Sequence, residues 1–253
     1  AYGRVVFLQP VDWSSGWPLI GAKGEPVLKY RKPKASTNVV ANPQENDEFD
    51  RNELGQQWQW HANYDQYYGM PTSEGTYRMY NYDIDSSFVS LWQIPSLLLQ
   101  KLPAPRFTAT TKVRIAAKAE NQYAGLVMMG RDYASIVACR RGDHFIIERR
   151  DCKGADNGNQ EKCTAIESIQ PTESDVGQYH PSVYLDIFFR AVVSDGSCQL
   201  QYSVDGKKFK DAGNPFILKE GKWIGSKIGF LSLAHSRSKN RGWLDIDWIR
   251  FTN

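Results

Sequence analysis

The sequence has no long hydrophobic run. No stretch approaches the roughly 18 consecutive apolar residues that suggest a membrane-spanning helix, which argues against a membrane partner. The N-terminus also has no basic segment followed by an apolar one, so no signal peptide is visible. Because the chain begins with Ala1 rather than Met, we expect that a leader has been removed or that the chain is a piece of a longer protein.

The sequence also has little excess charge of either sign. Its net charge is +3, and acidic and basic residues are interspersed along the chain. Nucleic-acid binding depends on cations that neutralise many phosphates. The densest basic stretch, residues 29–34 (KYRKPK), is interrupted by Pro33 and is typical of a solvated linker. We therefore expect no nucleic-acid partner.

Histidine and cysteine are scarce, with four of each in the chain. No His-x-His, His-Glu-x-x-His or Cys-x-x-Cys spacing occurs, so a transition-metal site is not expected. The Gly-x-Ser-x-Gly motif of a serine nucleophile is absent as well. These absences leave no motif of a metal-dependent or serine-based catalytic centre.

Two cysteines flank a stretch that reads as a loop. Cys152 and Cys163 enclose polar residues rich in Gly and Asn. A disulfide that closes this loop would stabilise the fold of an exported protein. Free, partly buried thiols are the alternative, and the sequence leaves both open.

A sustained helical periodicity is missing, and short strand-like runs take its place. Residues 107–116 (FTATTKVRIA) alternate with period two, as a half-buried strand does. The pair Asp205 and Gly206 between two alternating runs is a strong hairpin signal. Similar runs recur from Asp47 to the end of the chain, whereas residues 22–45 are rich in Lys, Pro and Asn. The pattern predicts an all-β fold, an antiparallel sandwich or jelly roll.

Six segments carry a resemblance to a known family, and they occur in that family's order. They are residues 3–21 (GRVVFLQPVDWSSGWPLIG), 47–60 (DEFDRNELGQQWQW), 91–113, 123–133 (YAGLVMMGRDY), 202–209 and 242–251 (GWLDIDWIRF). The first segment resembles the end of the catalytic propeller of glycoside hydrolase family 43, the β-xylosidase and α-arabinofuranosidase type of enzyme. The second resembles the first strand of the concanavalin A-like β-sandwich that follows this propeller.

The resemblance implies a domain organisation and a function. Residues 1–45 would be a propeller-derived strand and linker that form an extended tail, and residues 46–253 a two-sheet antiparallel sandwich. The parent protein would hydrolyse xylosidic or arabinosidic linkages in plant polysaccharide outside the cell, so we expect a secreted or periplasmic location. The family's three catalytic carboxylates lie on the propeller, upstream of the matching segments. We therefore assign no catalytic residue, predict that this chain alone is inactive, and expect the propeller to be its partner.

Aspartates near the two ends of the sandwich are candidate calcium ligands. The first and last strands of such sandwiches are commonly neighbours, so Asp47 or Asp50 could meet Asp245 or Asp247. Carboxylate oxygens suit a structural Ca²⁺. The alternative is a solvated polar strand face, since Asp245 and Asp247 are two residues apart and alternation then directs Ile246 and Trp248 into the core.

Other residues are candidates for carbohydrate contact. In the family that the chain resembles, a sandwich loop helps to shape the substrate pocket, and residues 234–241 (AHSRSKNR) would place His235 and Arg237 at its rim. A carbohydrate-binding module is an alternative function, and its exposed rings would be Trp92, Tyr64, Tyr67 and Tyr68. A purely structural interaction domain is another, because the apolar residues 5–11 need a surface to cover them.

Overall fold

The computed structural model describes residues 6–31, 45–175, 182–235 and 240–252. The chain forms two compact units, one of residues 4–43 and one of the remainder. Within the described part of the smaller unit, strands β1 (Val11–Asp12) and β2 (Leu19–Ile20) pair antiparallel around a tight turn. The turn is closed by the Asp12 carboxylate, which accepts hydrogen bonds from the backbone N–H and the hydroxyl of Ser14.

The larger unit is built almost entirely of strands. They are β3 (Gln59–Trp60), β4 (Gly69–Pro71), β5 (Tyr77–Tyr80), β6 (Tyr82–Ile84), β7 (Leu98–Lys101), β8 (Arg106–Ala117), β9 (Gln122–Met129), β10 (Tyr133–Arg141), β11 (His144–Cys152), β12 (Lys162–Ile169), β13 (Glu173–Asp175), β14 (Ser182–Ser194), β15 (Ser197–Ser203), β16 (Lys210–Asp211), β17 (Phe216–Ile217), β18 (Lys227–His235) and β19 (Trp243–Thr252). Its helical elements in the described residues are two single 3₁₀ turns, Leu91–Gln93 and Ala155–Asn157. None of the helices described in the chain is long and apolar enough to cross a membrane.

These strands form two large sheets. The eight-stranded sheet has the order β12-β11-β10-β9-β18-β7-β3, with β6 parallel to the end of β18. The nine-stranded sheet has the order β16-β15-β14-β8-β19-β5-β4, and β13 and β17 pair with β14 and β15. Apart from β6 with β18, the strand pairs among the described residues are antiparallel.

The main core lies between the two sheets. Alternate residues of β8, Phe107, Ala109, Val113 and Ile115, point inward and are almost fully buried, as the alternation in the sequence predicts. They belong to one continuous apolar cluster with inward residues of β9, β10, β14 and β18. Two sheets packed face to face with such a core define a β-sandwich. The predicted two-sheet antiparallel fold is confirmed.

The outer face of the eight-stranded sheet is buried as well. Leu91, Ile94 and Leu97 from the segment between β6 and β7 pack on Val127 of β9 and Val137 of β10. We call residues 85–97 the covering segment. The sandwich therefore has a third layer, which the strand pattern of the sequence did not predict.

A network of charged side chains lies beneath the covering segment, beside the apolar cluster that this segment forms with β9 and β10. Arg150 binds Glu148 through Nη2 (2.6 Å to Oε2) and Glu161 through Nη1 (3.0 Å to Oε1). The Tyr133 hydroxyl donates to Glu161 at 2.6 Å and accepts from the backbone N–H of Leu91 at 3.0 Å. Burial raises the pKa of Tyr133, which keeps this hydroxyl a donor at all ordinary pH values. The network thus ties the covering segment to β10 and β11.

The network predicts a large difference between two arginine substitutions. Arg150→Met leaves Glu161 buried without its cation, and losing one partner of a buried ion pair costs about 3–5 kcal/mol. Arg250→Met is the matched control: Arg250 binds Glu48 in a bidentate pair on the surface, where such a pair contributes about 1 kcal/mol or less. Urea denaturation measures both free energies of unfolding. Equal losses in the two variants would contradict a stabilising role of the network.

Candidate functional site

The carboxylate of Asp47, one of the predicted calcium ligands, accepts hydrogen bonds from protein donors. Asp47 bridges to Ile249 of β19 through two backbone hydrogen bonds, so the first and last parts of the sandwich are neighbours as expected. Its carboxylate, however, accepts from the backbone N–H of Phe49 at 3.0 Å and from the indole N–H of Trp58 at 2.7 Å. Asp50 is exposed. Asp47 therefore serves as a hydrogen-bond acceptor that fixes the start of the domain.

The two aspartates of β19 have cationic side chains as partners. Asp245 binds Arg78 through two hydrogen bonds of 2.7 Å, and Asp247 binds Lys112 at 2.6 Å. Within the described ranges, no three His, Cys, Asp or Glu side chains lie close enough to hold a metal ion. Among these residues the four aspartates therefore do not form a cluster, and a bound Ca²⁺ stays a prediction.

One expectation about β19 is wrong. A β-bulge between Ile246 and Trp248 shifts the register against β8. Ile246 is buried in the core as predicted, whereas Trp248 lies on the outer face, where its ring contacts Phe188 at 6.1 Å and Arg250 at 4.3 Å. The extra residue of a bulge interrupts the alternation on which the prediction depended.

Of the two alternatives for Cys152 and Cys163, the structure has the free thiols. All four cysteines are free thiols, so Cys152 and Cys163 are not bonded. In the ladder between β11 and β12, Cys163 pairs with Arg150, which places Cys152 two residues farther along the neighbouring strand. The Cys152 thiol donates instead to the carbonyl of Asn159 at 3.1 Å. Burial raises the pKa of both thiols to about 11, so neither is a reactive thiolate at neutral pH.

The predicted tyrosines lie in a cluster of rings at one end of the eight-stranded sheet. Tyr68 contacts Trp60 at 5.4 Å and Tyr82 at 6.0 Å between ring centroids, and Tyr64 contacts Trp60 at 6.4 Å. We call Trp60, Tyr64, Tyr67, Tyr68 and Tyr82 the aromatic rim. Tyr64 and Tyr67 are 67% and 69% exposed, so these two rings are open to a ligand.

Tyr67 borders two adjoining clefts of about 710 and 360 Å³. Arg241 lines both of them and binds Asp83 of β6 at 2.9 Å. Tyr80 is also common to both, and Trp243 lies in the larger one. An exposed ring beside an arginine-carboxylate pair can stack on the apolar face of a sugar and bind its hydroxyl groups.

Two further predicted contacts, Trp92 and His235, lie at the covering segment. Trp92 of the covering segment packs edge to face on His61 at 5.6 Å, and burial lowers the pKa of His61 to about 4. His235, at the end of β18, lies between Phe88 at 6.1 Å and Tyr123 at 5.8 Å. Partial burial and the nearby Arg150 lower the pKa of His235. Both imidazoles are therefore neutral at pH 7 and act as aromatic or hydrogen-bonding groups.

The loop that carries Arg237 lies outside the described residues, since residues 236–239 are not described. Of its flanks, Arg241 lines the cleft that also contains Tyr67, Tyr68 and Tyr82, whereas His235 contacts Phe88 of the covering segment. Sequence reasoning did not single out Arg241, Tyr80 or Tyr82. Arg241 belongs to the same polar stretch as His235, so that stretch could have suggested it. No local pattern, however, shows which cation of the stretch pairs with a carboxylate.

Comparisons with known proteins agree with this architecture. Residues 46–252 match the family described as the β-xylosidase C-terminal concanavalin A-like domain. A β-xylosidase of Formosa agariphila is 26% identical over 98% of this chain and 43% of its own length. A putative β-xylosidase of Xylanibacter ruminicola is 29% identical over 91% of this chain and 40% of its own length.

Solved structures show the same fold. The glycoside hydrolase family 43 protein BlXynB of Bacillus licheniformis has a TM-score of 0.72 at 20% identity, covering 98% of this chain and 47% of that one. This chain spans less than half the length of the curated relatives it matches. Because the family match covers more than three quarters of the sequence, the chain belongs to the concanavalin A-like C-terminal domains of the β-xylosidase type of glycoside hydrolase family 43.

Proposed function

We propose that this chain is a non-catalytic accessory domain of a glycoside hydrolase that acts on xylan- or arabinoxylan-type polysaccharide. It stabilises the catalytic propeller and contributes to the substrate pocket. The single observation that supports this most strongly is the match of residues 46–252 to a C-terminal domain that makes up less than half of its relatives. An exported parent protein is part of the proposal, because its polymeric substrate lies outside the cell.

The local chemistry supports an accessory role. Glycoside hydrolysis needs two carboxyl groups on opposite sides of the scissile bond, one of them a general acid. Beside the aromatic rim, Asp83 is paired with Arg241 and Asp65 accepts the backbone N–H of Tyr67. These two carboxylates are acceptors that hold the site in shape rather than an acid and a base.

The purified chain is therefore expected to be inactive. Incubated with p-nitrophenyl β-xyloside or α-arabinofuranoside, it should release nitrophenol no faster than buffer, because it lacks the acid and base carboxylates. The full-length protein that contains this chain is the positive control. Turnover by the isolated chain, free of contaminating hydrolase, would refute the assignment.

A contribution to the substrate pocket predicts a loss of activity when His235 or Arg237 is replaced. In the full-length protein, His235→Ala and Arg237→Ala should each lower kcat/KM on short xylo-oligosaccharides about tenfold, the effect of one lost hydrogen bond to substrate. Lys208→Ala, on the hairpin after β15, is the surface control and should leave the kinetics unchanged. Wild-type kinetics in both loop variants would remove the pocket role.

The exposed tyrosines favour a second candidate function, a carbohydrate-binding module. Rings that are two-thirds exposed can stack on sugar, whereas core rings cannot. The isolated chain should then bind xylan in affinity electrophoresis, and Tyr67→Ala should weaken binding about threefold to tenfold. Trp223→Ala is the matched control. Trp223 is 68% exposed and lies just before the first residue of β18, at the opposite end of that strand from the aromatic rim. Equal retardation of both variants would contradict a role of the aromatic rim.

Exposed apolar side chains of the smaller unit support a structural role. Phe7, Trp13 and Trp17 are 75%, 65% and 72% exposed. Large apolar side chains clustered on a surface mark contacts with another domain or chain. In the proposed parent protein this contact is with the propeller, so the structural role forms part of the accessory function.

A further inference from the structure

A third cleft lies at the opposite end of the eight-stranded sheet from His235. Its volume is about 650 Å³, within the range of about 300–1,000 Å³ that small-molecule sites occupy. It opens where β11 and β12 face the segment that contains β17. Ile166 and Phe216 form apolar walls, Lys153 and Lys219 line the opening, and Arg149 lies at the base. None of the residues predicted from the sequence to contact sugar lines this cleft.

Arg149 uses only part of its guanidinium as a hydrogen-bond donor. Its side chain is 7% exposed, and it donates Nε to Asp151 (2.8 Å) and Nη1 to the carbonyls of Ala212 (2.9 Å) and Asn214 (3.4 Å). In the part of the chain that the structure describes, Nη2 makes no hydrogen bond. A guanidinium carries five N–H donors and no acceptor. The base of the cleft therefore presents a positioned, nearly buried donor that lacks an acceptor.

The other charged groups of the cleft also favour a ligand that accepts hydrogen bonds. Asp151 is paired with Arg149, and Asp132 accepts the backbone N–H of Gly154 at 2.8 Å. Neither Lys153 nor Lys219 takes part in an ion pair among the described residues. The acidic groups are thus already satisfied, while two ammonium groups and one guanidinium edge remain available to an anion.

We propose that this cleft binds a uronic acid residue of an acidic oligosaccharide. Its carboxylate accepts hydrogen bonds from Arg149 Nη2 and pairs with Lys153 and Lys219, while the apolar face of the sugar ring packs on Phe216 and Ile166. Charge-assisted hydrogen bonds to a carboxylate are about twice as strong as neutral ones. The inference rests on the proposed function, because it deepens the substrate class from a neutral to an acidic xylan.

Calorimetry on the complete 253-residue chain tests the inference with a pair of probes. The first is a xylo-oligosaccharide with one glucuronic acid branch, and the second is the same molecule with that carboxyl reduced to an alcohol. We expect the acidic probe to bind at least about tenfold more tightly, which corresponds to one charge-assisted hydrogen bond. Equal affinities for the two probes would overturn the proposal.

Variants locate the binding. Arg149→Gln should abolish the preference, but Arg149 also holds two backbone carbonyls, so folding is checked by circular dichroism. The double variant Lys153→Gln, Lys219→Gln changes exposed side chains only and should lower the preference at least threefold, whereas Lys208→Gln should retain it. An unchanged preference in the double variant would overturn the proposal, and so would equally tight binding of a short peptide that ends in a free carboxylate.

The Tyr67→Ala variant separates the two proposals. The acid preference should persist in it, because the cleft shares no residue with the aromatic rim. Loss of that preference in Tyr67→Ala would place the acidic sugar at the rim and overturn the assignment to this cleft. If the His235→Ala and Arg237→Ala variants of the full-length protein have wild-type kinetics, only the proposed role in the substrate pocket is refuted.

Discussion

The structure depends on the need to cover both faces of the eight-stranded sheet. Strands β9 and β10 are buried along nearly their whole length, and their apolar side chains point to both faces of the sheet. The nine-stranded sheet covers one face, and the covering segment must cover the other. Apolar surface left in water would cost about 25 cal/mol per Å². This constraint places Phe88 and Trp92 next to His235 and His61, and one member of the aromatic rim, Tyr82, packs against the same apolar cluster.

The charged network beneath the covering segment has a different role from the apolar contacts. Burying Arg150, Glu148 and Glu161 is costly even when they are paired. The benefit is geometric, because Tyr133 and Glu161 bind the backbone of the covering segment at Leu91 and Val89. Apolar packing alone is non-directional, whereas these bonds fix one position of the segment along the sheet. The positions of Phe88 and Trp92 beside His235 and His61 follow from that placement.

Much of the fold was accessible from the sequence, but the candidate site was accessible only in part. The alternation of residues 107–116 and the turn at Asp205 and Gly206 depend on local rules, and the structure has a long strand and a hairpin there. The exposure of Tyr67 and the neighbours of His235 are set by residues far away in the chain. Trp248 shows the limit most clearly, since one bulge moved it to the other face. Arg149 carries no local signal, because its free donor exists only once Ala212 and Asn214 have taken the others.

The four unbonded cysteines bear on how the protein reaches its native state. Three are buried, and only Cys163 is exposed. No covalent cross-link holds the two sheets together, so maturation of the domain needs neither an oxidant nor a disulfide isomerase. Since the pKa of the Cys163 thiol on β12 is raised to about 11, attaching a spectroscopic label there calls for alkaline solution, in which more of the nucleophilic thiolate forms.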